Sequence, residues 1–356
     1  MAMEVNAIRL ARVYSGLTQK GLATRLGKKQ YIVADFERSG DASALKESLK
    51  EATGLPIGFF SEDIVWHSPQ SNISYRKRSI CPAGDRDRAW LYSAVAASIL
   101  EPLVARFIRY PDVDMPESPA DNPLSDNVDA RRAGGAIARV VREEWGIGWG
   151  PISDVIRLVE SKGVRVFFLK RPVESLDGFA CWVKDRPFMF LNSFVADPAR
   201  LRFNAAHELL HLVAHRDIEL DSDSGLYESM AHGFAAEFLA PWATFSRECP
   251  VIPRLDRLGQ LRRRWGMSMQ SIVMHMHANG AISDASYATA FKKFSYLGYR
   301  RGPEPGWFAP DTSAVHEKFF EVLKARGISL TTLAEEAGIP EPLLTEMLPE
   351  SSLAFY

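Results

Sequence analysis

The sequence predicts an α+β fold that is mainly helical, and three observations predict it. Short helical segments punctuated by Gly16, Gly27, Gly40 and Gly54 fill residues 1–60, with no strand pattern. Three runs rich in β-branched and aromatic residues, VRVFFL, GFACWV and PFMFLN, cluster between Val164 and Asn192. Helical spacing dominates on both sides of them, and a small sheet beside helices is the α+β arrangement. The expected order is an N-terminal all-α bundle over 1–60 and a helical connector with a Pro-rich linker over 61–126. A unit with the small sheet follows over 127–305, then a C-terminal helical cap over 306–356.

The first 60 residues are modestly basic, with nine Lys/Arg against six Asp/Glu. Residues 61–85 are irregular and partly basic (SYRKR). A helix follows from about Asp85 to Ile108, with Leu91, Ala94, Val95, Ile99, Val104 and Phe107 at helical spacing. The stretch YPDVDMPESPADNP, with its prolines and acids, reads as a linker. Helices are expected over 128–145 and 151–162, the first ending before Gly146, Gly148 and Gly150, the second with Gly163 as C-cap. Val164–Leu169 reads as a buried strand. The two segments flanking Lys184-Asp185-Arg186 read as a hairpin. Asp197-Pro198 then supplies an N-cap and a first-turn proline for the next helix. No internal repeat or low-complexity tract is evident.

Composition bounds the function. The chain of 356 residues is 46% hydrophobic and 24% charged, ordinary for a globular protein of two or more domains. The formal net charge is -1, so DNA binding must come from a local patch. Cys81, Cys181 and Cys249 are odd in number and far apart, which fits a reducing cytoplasm better than a disulfide framework. Residues 1–15 lack a signal-peptide core, and no run of ~18 apolar residues predicts a membrane span. The expected location is the cytoplasm, with no membrane partner.

The chemistry concentrates in RFNAAHELLHLVAHR, residues 202–216. HExxH puts His207 and His211 one helical turn apart on one face, where both imidazoles can reach one zinc. Glu208 lies beside them, placed to take a proton from a water that attacks an amide carbonyl. Two histidines do not hold a catalytic metal alone. His215 reads as a helix-end residue. A second helix, LYESMAHGFAAEFLAP, carries Glu228, His232 and Glu237 and stops at Pro241. Glu228 and His232 share a face, and Glu237 points the opposite way, so only one glutamate can face the metal. Ala231, Ala235 and Ala236 would let this helix approach the motif helix closely.

Residues from about 127 to 305 resemble the ImmA/IrrE family of zinc metallopeptidases. The pieces that carry the likeness are GVRVFFL, the hairpin with DRPFMFLN, RFNAAHELLHLVAH, the E-xxx-H-xx-AAEFLAP helix, LRRRWGMSMQSIVMHMHANGAIS and GYRRGPEPG. The resemblance implies a zincin-like, gluzincin-type endopeptidase domain in which Glu228, thirteen residues before the proline of the second helix, is the third ligand. The family usually has asparagine where this chain has His232, which makes His232 a neighbour of the ligands or an alternative ligand. Zn2+ is the expected cofactor, with Mn2+ also suited to two imidazoles and a carboxylate. The strand ending in Phe190-Leu191-Asn192 reads either as an edge that pairs with a peptide or as a core strand. Of His275 and His277, at most one can enter a cleft. Arg262-Arg263-Arg264 reads as a solvated face.

Residues 8–40 resemble the Cro/phage-repressor type (XRE) helix-turn-helix, through LTQKGLATRLG, the Phe36-Glu37-Arg38 pattern and Gly40. Thr18 can cap a helix whose Gln19 reaches phosphate, with Leu22, Ala23 and Leu26 packed inward. Gly27 turns the chain, and Gln30, Tyr31, Ala34 and Asp35 face outward. The DNA-contact candidates are Gln19, Lys28, Lys29, Gln30 and Tyr31. Asp35 and Ile32 depart from the usual pattern, and the other reading of the module is dimerisation or partner docking. SLTTLAEEAGIPEPLLTEML near the C-terminus echoes the same rhythm but is acidic, and reads as a helical cap.

Together these readings imply a DNA-binding zinc metallopeptidase that cleaves a regulatory protein, a repressor or antitoxin encoded nearby, in stress, phage or mobile-element control. The competing reading is a transcriptional regulator whose zinc domain senses or stabilises without proteolysis. Both leave room for a homodimer.

Overall fold

In the computed structural model the described residues are 6–39, 45–69, 83–117, 126–169, 177–192, 197–214, 224–300 and 302–349. They are mainly helical, with one three-stranded sheet. The N-terminal helices are α1 (Ala7–Tyr14), α2 (Gln19–Arg25), α3 (Gln30–Ser39) and α4 (Lys46–Thr53), closed by a 3-10 turn at Ile57–Phe60. The expected helix over 85–108 is interrupted. It runs as α5 (Ala83–Val95), a π turn over Ala96–Leu100, and α6 (Glu101–Ala105). Pro102 explains the π turn: it has no N–H for the carbonyl four residues back, and the ladder slips by one residue ahead of it.

Next come α7 (Asn127–Glu144), capped by the Asp126 carboxylate, and α8 (Val155–Ser161), capped by Asp154. The strands are β1 (Arg165–Leu169), β2 (Gly178–Val183) and β3 (Arg186–Asn192). The helices α9 (Pro198–Ala214), α10 (Ser224–Leu239), α11 (Trp242–Phe245), α12 (Leu255–Trp265), α13 (Met269–Ala278) and α14 (Asp284–Tyr296) follow. The chain closes with α15 (Ala314–Arg326), α16 (Leu330–Ala337) and α17 (Glu341–Met347).

The chain divides into two compact units. Among the described residues, the first holds those up to Val113, those within Gly163–Asn192 and those from Ala314 onward; the second holds those within Asp114–Lys162 and Ser193–Ser313.

In the first unit the sheet order is β1-β3-β2, with β1 parallel and β2 antiparallel to β3. A two-residue connection, Lys184-Asp185, joins Val183 to its partner Arg186, and Lys184 takes the left-handed φ of 55°. The strand ending in Phe190-Leu191-Asn192 is therefore central. Its hydrogen-bonding groups are spent on neighbours along both edges, and it cannot add a peptide strand. All three strands are almost wholly buried, and Phe167, Phe179, Phe188 and Phe190 stack within them. They share one apolar core with α1–α5 and α15–α17.

The rhythm that SLTTLAEEAGIPEPLLTEML echoes is a full internal repeat in the backbone of this unit. α15, α16 and α17 reproduce α1, α2 and α3 at one constant offset. Gly16 and Gly327 take φ of 66° and 65°; Gly27 and Gly338 take 62° and 67°. The Thr18 hydroxyl accepts from Gly21 N at 3.0 Å, and the Ser329 hydroxyl accepts from Thr332 N at 3.1 Å. The amides of Leu17, Leu22 and Lys28 bond to Arg12, Thr18 and Ala23; those of Ile328, Leu333 and Ile339 bond to Leu323, Ser329 and Ala334. Leu22, Ala23 and Val33 are buried, as are Leu333, Ala334 and Leu344.

In the second unit α9 is buried on nearly every side, which its apolar residues all round the helix require. α10 packs against both α7 and α9. The α7–α10 crossing is backbone on backbone. A Cβ added to Gly134 would lie 1.9 Å from the Met230 carbonyl oxygen, and one on Gly233 2.2 Å from the Arg131 oxygen. Arg142 of α7 donates to the Phe238 carbonyl at the end of α10 and to the Gly148 and Gly150 carbonyls at 2.8 and 2.6 Å. Burial lowers that guanidinium's pKa to about 10, partly offset by Glu237. Gly134→Ala or Gly233→Ala forces the two helices apart. Each variant is expected to lose about 1–3 kcal/mol in urea denaturation, the usual cost of overpacking. A midpoint and slope equal to the parent's would contradict the contact.

Candidate metal centre

The second unit gathers the histidines and the glutamate of the motif. Pro198 opens α9, with the Asp197 carboxylate accepting from Ala199 N at 2.8 Å. His207 and His211 follow one turn apart on this helix, 8% and 5% exposed. Their Nε2 atoms lie 3.3 Å from one another. Glu228, in the first turns of α10, brings one carboxylate oxygen to 3.5 Å from His207 Nε2 and the other to 3.9 Å from His211 Nε2. Zinc bonds of about 2.0–2.1 Å in a tetrahedral arrangement separate ligand atoms by about 3.3–3.4 Å. The two imidazole nitrogens have that separation, and Glu228 approaches them with one oxygen toward each.

His232 stands one turn beyond Glu228. Its ring centre is 5.1 Å from that of His207, and His207, Glu228 and His232 present ligand atoms all within 4.8 Å of one another. The two sets share His207 and Glu228 and differ in the third member. In the set with His211, Glu228 turns a different oxygen to each imidazole; in the set with His232, each residue offers a single ligand atom. Glu208, 6% exposed, follows His207 directly in α9. His215 lies outside the described residues. Glu237 is turned to Arg139 at 3.2 Å and to Trp242 N at 3.2 Å, as its spacing from Glu228 requires.

The downstream histidines are otherwise engaged. His275 Nε2 donates to the Ala240 carbonyl at 2.9 Å, and burial holds its pKa below the ordinary value. His277 faces Asp284 at 2.7 Å on the surface. The arginine run is not a solvated face throughout. Arg263 and Arg264 are exposed, but Arg262 is buried and donates to Asp197 at 2.9 Å and to Glu304 at 3.1 Å.

The sequence reading missed the support beneath α9. Arg202, five residues before His207, is buried and donates to Asp311 at 2.9 Å and to the Ile152 and Ser153 carbonyls at 2.5 and 3.2 Å. Phe308 lies against both guanidinium groups, 5.9 Å from that of Arg202 and 5.4 Å from that of Arg262. The signal was a cation in a helix too apolar to expose one.

In the first unit, Lys28, Lys29, Gln30 and Tyr31 surround the start of α3 and are exposed, Tyr31 by 67%. Gln19 is half-buried and donates to Glu37 at 2.8 Å, and Arg12 is also paired with that carboxylate. Asp35 pairs with Arg38 at 3.6 Å. A groove of about 700 Å³ beside them is lined by Arg12, Gln19, Lys20, Gln30, Asp85 and Asp87, among others.

Residues 159–277 match the family model of the IrrE N-terminal-like domain, a peptidase family (Peptidase_M78). The matched segment is similar to a domain of metallopeptidase type, and it contains both α9 and α10. No curated protein matches the chain. No helix among the described residues is long and apolar enough to cross a membrane.

Asp311 gives the support a pH signature. Burial raises its pKa from 3.8 to about 6 against the opposing pull of Arg202. An acid whose folded pKa is raised stabilises the fold fully below its unfolded pKa, and that contribution is lost as pH rises through the folded value. Denaturation from pH 4 to 7 should show the parent losing stability relative to Asp311→Asn as pH rises, levelling above about 6. A difference that grows in the parent's favour would reverse the sign.

Proposed function

We propose that the chain is a zinc-dependent peptidase that acts on a regulatory protein and carries its own DNA-binding module. The observation that supports it most is the gathering of His207, His211 and Glu228, 3.3 Å between the imidazole nitrogens and 3.5 and 3.9 Å from each to a carboxylate oxygen, with His232 beside them. These residues hold the metal; imidazole and carboxylate suit zinc first and manganese second. A bound zinc supplies Lewis acidity toward water and the amide carbonyl. Glu208 takes the proton of the attacking water on its carboxylate and returns it to the leaving amine nitrogen. The burial of Glu208 and both histidines limits competing bulk water and strengthens each charge interaction within the site.

The resemblance to ImmA/IrrE peptidases points to limited cleavage of a repressor or antitoxin encoded nearby, in the cytoplasm. Residues 1–60 act as a helix-turn-helix module of the Cro/phage-repressor type. α3 enters the major groove of double-stranded DNA, with Gln30 and Tyr31 toward bases and Lys28 and Lys29 toward phosphates. Gln19 acts by bracing Glu37 between α2 and α3, a support for the reading helix more than a phosphate contact.

Incubation with the neighbouring gene's product, read by mass spectrometry, should give a defined cleavage that a chelator abolishes. Glu208→Gln should keep its metal and lose about 10²–10⁴-fold in rate. Glu228→Ala should lose metal content. Parent-like cleavage by Glu208→Gln would remove the base, and parent-like metal content in Glu228→Ala would remove the ligand.

A further inference from the structure

We infer that α15–α17 are a built-in partner of the N-terminal helix-turn-helix, so that one copy of the chain reads one asymmetric DNA half-site. The inference rests on the DNA-binding role proposed for residues 1–60. Helix-turn-helix proteins ordinarily pair two identical modules, and their operators are palindromic because the proteins are two-fold symmetric. This chain already holds a second copy of the motif, matching the first in turn glycines, caps and backbone hydrogen bonds.

The copy has kept the architecture and lost the reading chemistry. Where the first motif has Lys20, Arg25, Lys28, Lys29, Gln30 and Tyr31, the second has Thr331, Glu336, Ile339, Pro340, Glu341 and Pro342. Every cation of the reading surface is gone, and Glu335, Glu336 and Glu341 would repel phosphate. The recognition-helix position is also spent on packing. On α17, Leu343, Leu344 and Met347 are buried, and Glu346 accepts from the Tyr92 hydroxyl at 2.8 Å.

The copy instead packs on the N-terminal module. Gly338, its turn glycine, lies against Gly58 in the 3-10 turn after α4. A Cβ on Gly58 would fall 2.9 Å from Gly338 Cα, and one on Gly338 2.6 Å from the Gly58 carbonyl carbon. Phe59 and Phe60 join Leu333, Ile339, Leu343 and Leu344 in one core. Arg106 and Glu336 pair at 3.0 Å at its margin. The start of α3, on the first motif, stays exposed. One face of the module is thus covered by its own copy, and one reading head remains.

The test uses the full chain and a pool of duplexes with a randomised central segment. Selection should enrich a single block without inverted symmetry, and native mass spectrometry should show one chain per duplex. Affinity should fall with salt at a log–log slope of about −3, since Arg25 is turned to the Ala52 carbonyl at 2.7 Å, Lys20, Lys28 and Lys29 remain, and each phosphate neutralised contributes about −0.9. Lys28→Glu with Lys29→Glu should weaken binding at least tenfold, whereas Glu335→Lys, on the exposed surface of the copy, should change it less than twofold. An inverted repeat bound by two chains would overturn the inference and leave DNA binding standing. A several-fold gain from Glu335→Lys would do the same, because it would place the copy on the duplex. No enriched sequence at all would overturn both readings.

Discussion

The crossing of α7 and α10 at Gly134 and Gly233 is the constraint on which the metal centre depends. Two side-chain-free positions let the helices touch through backbone, closer than any side chain permits. Arg142 and Arg139 fasten the same pair by ending on the Phe238 carbonyl and on Glu237. Glu228 and His232 flank the crossing on α10, so the depth at which α7 seats that helix sets where the carboxylate stands. α9, buried on nearly all sides and held at its start by Arg202 and Asp197, supplies the fixed half. The donor atoms come within reach of one ion because both helices are over-determined by packing elsewhere.

Much of this was legible in the sequence, and for identifiable reasons. HExxH fixes His207 and His211 relative to one another through helix geometry alone, so no tertiary knowledge is needed. The Asp197-Pro198 start and the hairpin around Lys184-Asp185 rest on local turn chemistry and stand as expected. Two features were not legible because each depends on long-range contact, and a third, the repeat, showed only as a helix-turn-helix rhythm. The central position of β3 follows from parallel pairing with β1, which no local pattern announces. The burial of Arg262 depends on Asp197 and Glu304, distant in the chain. The repeat is carried by glycine torsions and capping bonds more than by residue identity. Threonine and serine cap equally, leucine and isoleucine pack equally, and the charged surface has diverged.

The two tri-helical motifs show what a backbone conserves when its surface is free to change. The positions held in common are those with a geometric duty: left-handed glycines, caps and buried leucines. The positions that differ are exposed or have been turned to packing. Glu346, which corresponds to exposed Asp35, is buried on Tyr92. The same fold element therefore presents a cationic, open helix start in one copy and an acidic one in the other, and fold by itself carries no function.

His232 sets a third imidazole beside His207 and Glu228. His207 and His211 are locked together by one turn of one helix, so their separation survives small movements of the rest. His232 travels with α10, and so does Glu228; any shift at Gly233, the very next residue, moves both together. The ring already lies 5.1 Å from His207 and 6.0 Å from Phe203, enclosed on its α9 side. The ligand atoms of His207, Glu228 and His232 lie within 4.8 Å of one another, and His211 Nε2 lies 3.3 Å from His207 Nε2, so three imidazoles and one carboxylate crowd the same place. What His232 contributes is a nitrogen beside Glu228, placed by the same helix crossing that places that carboxylate.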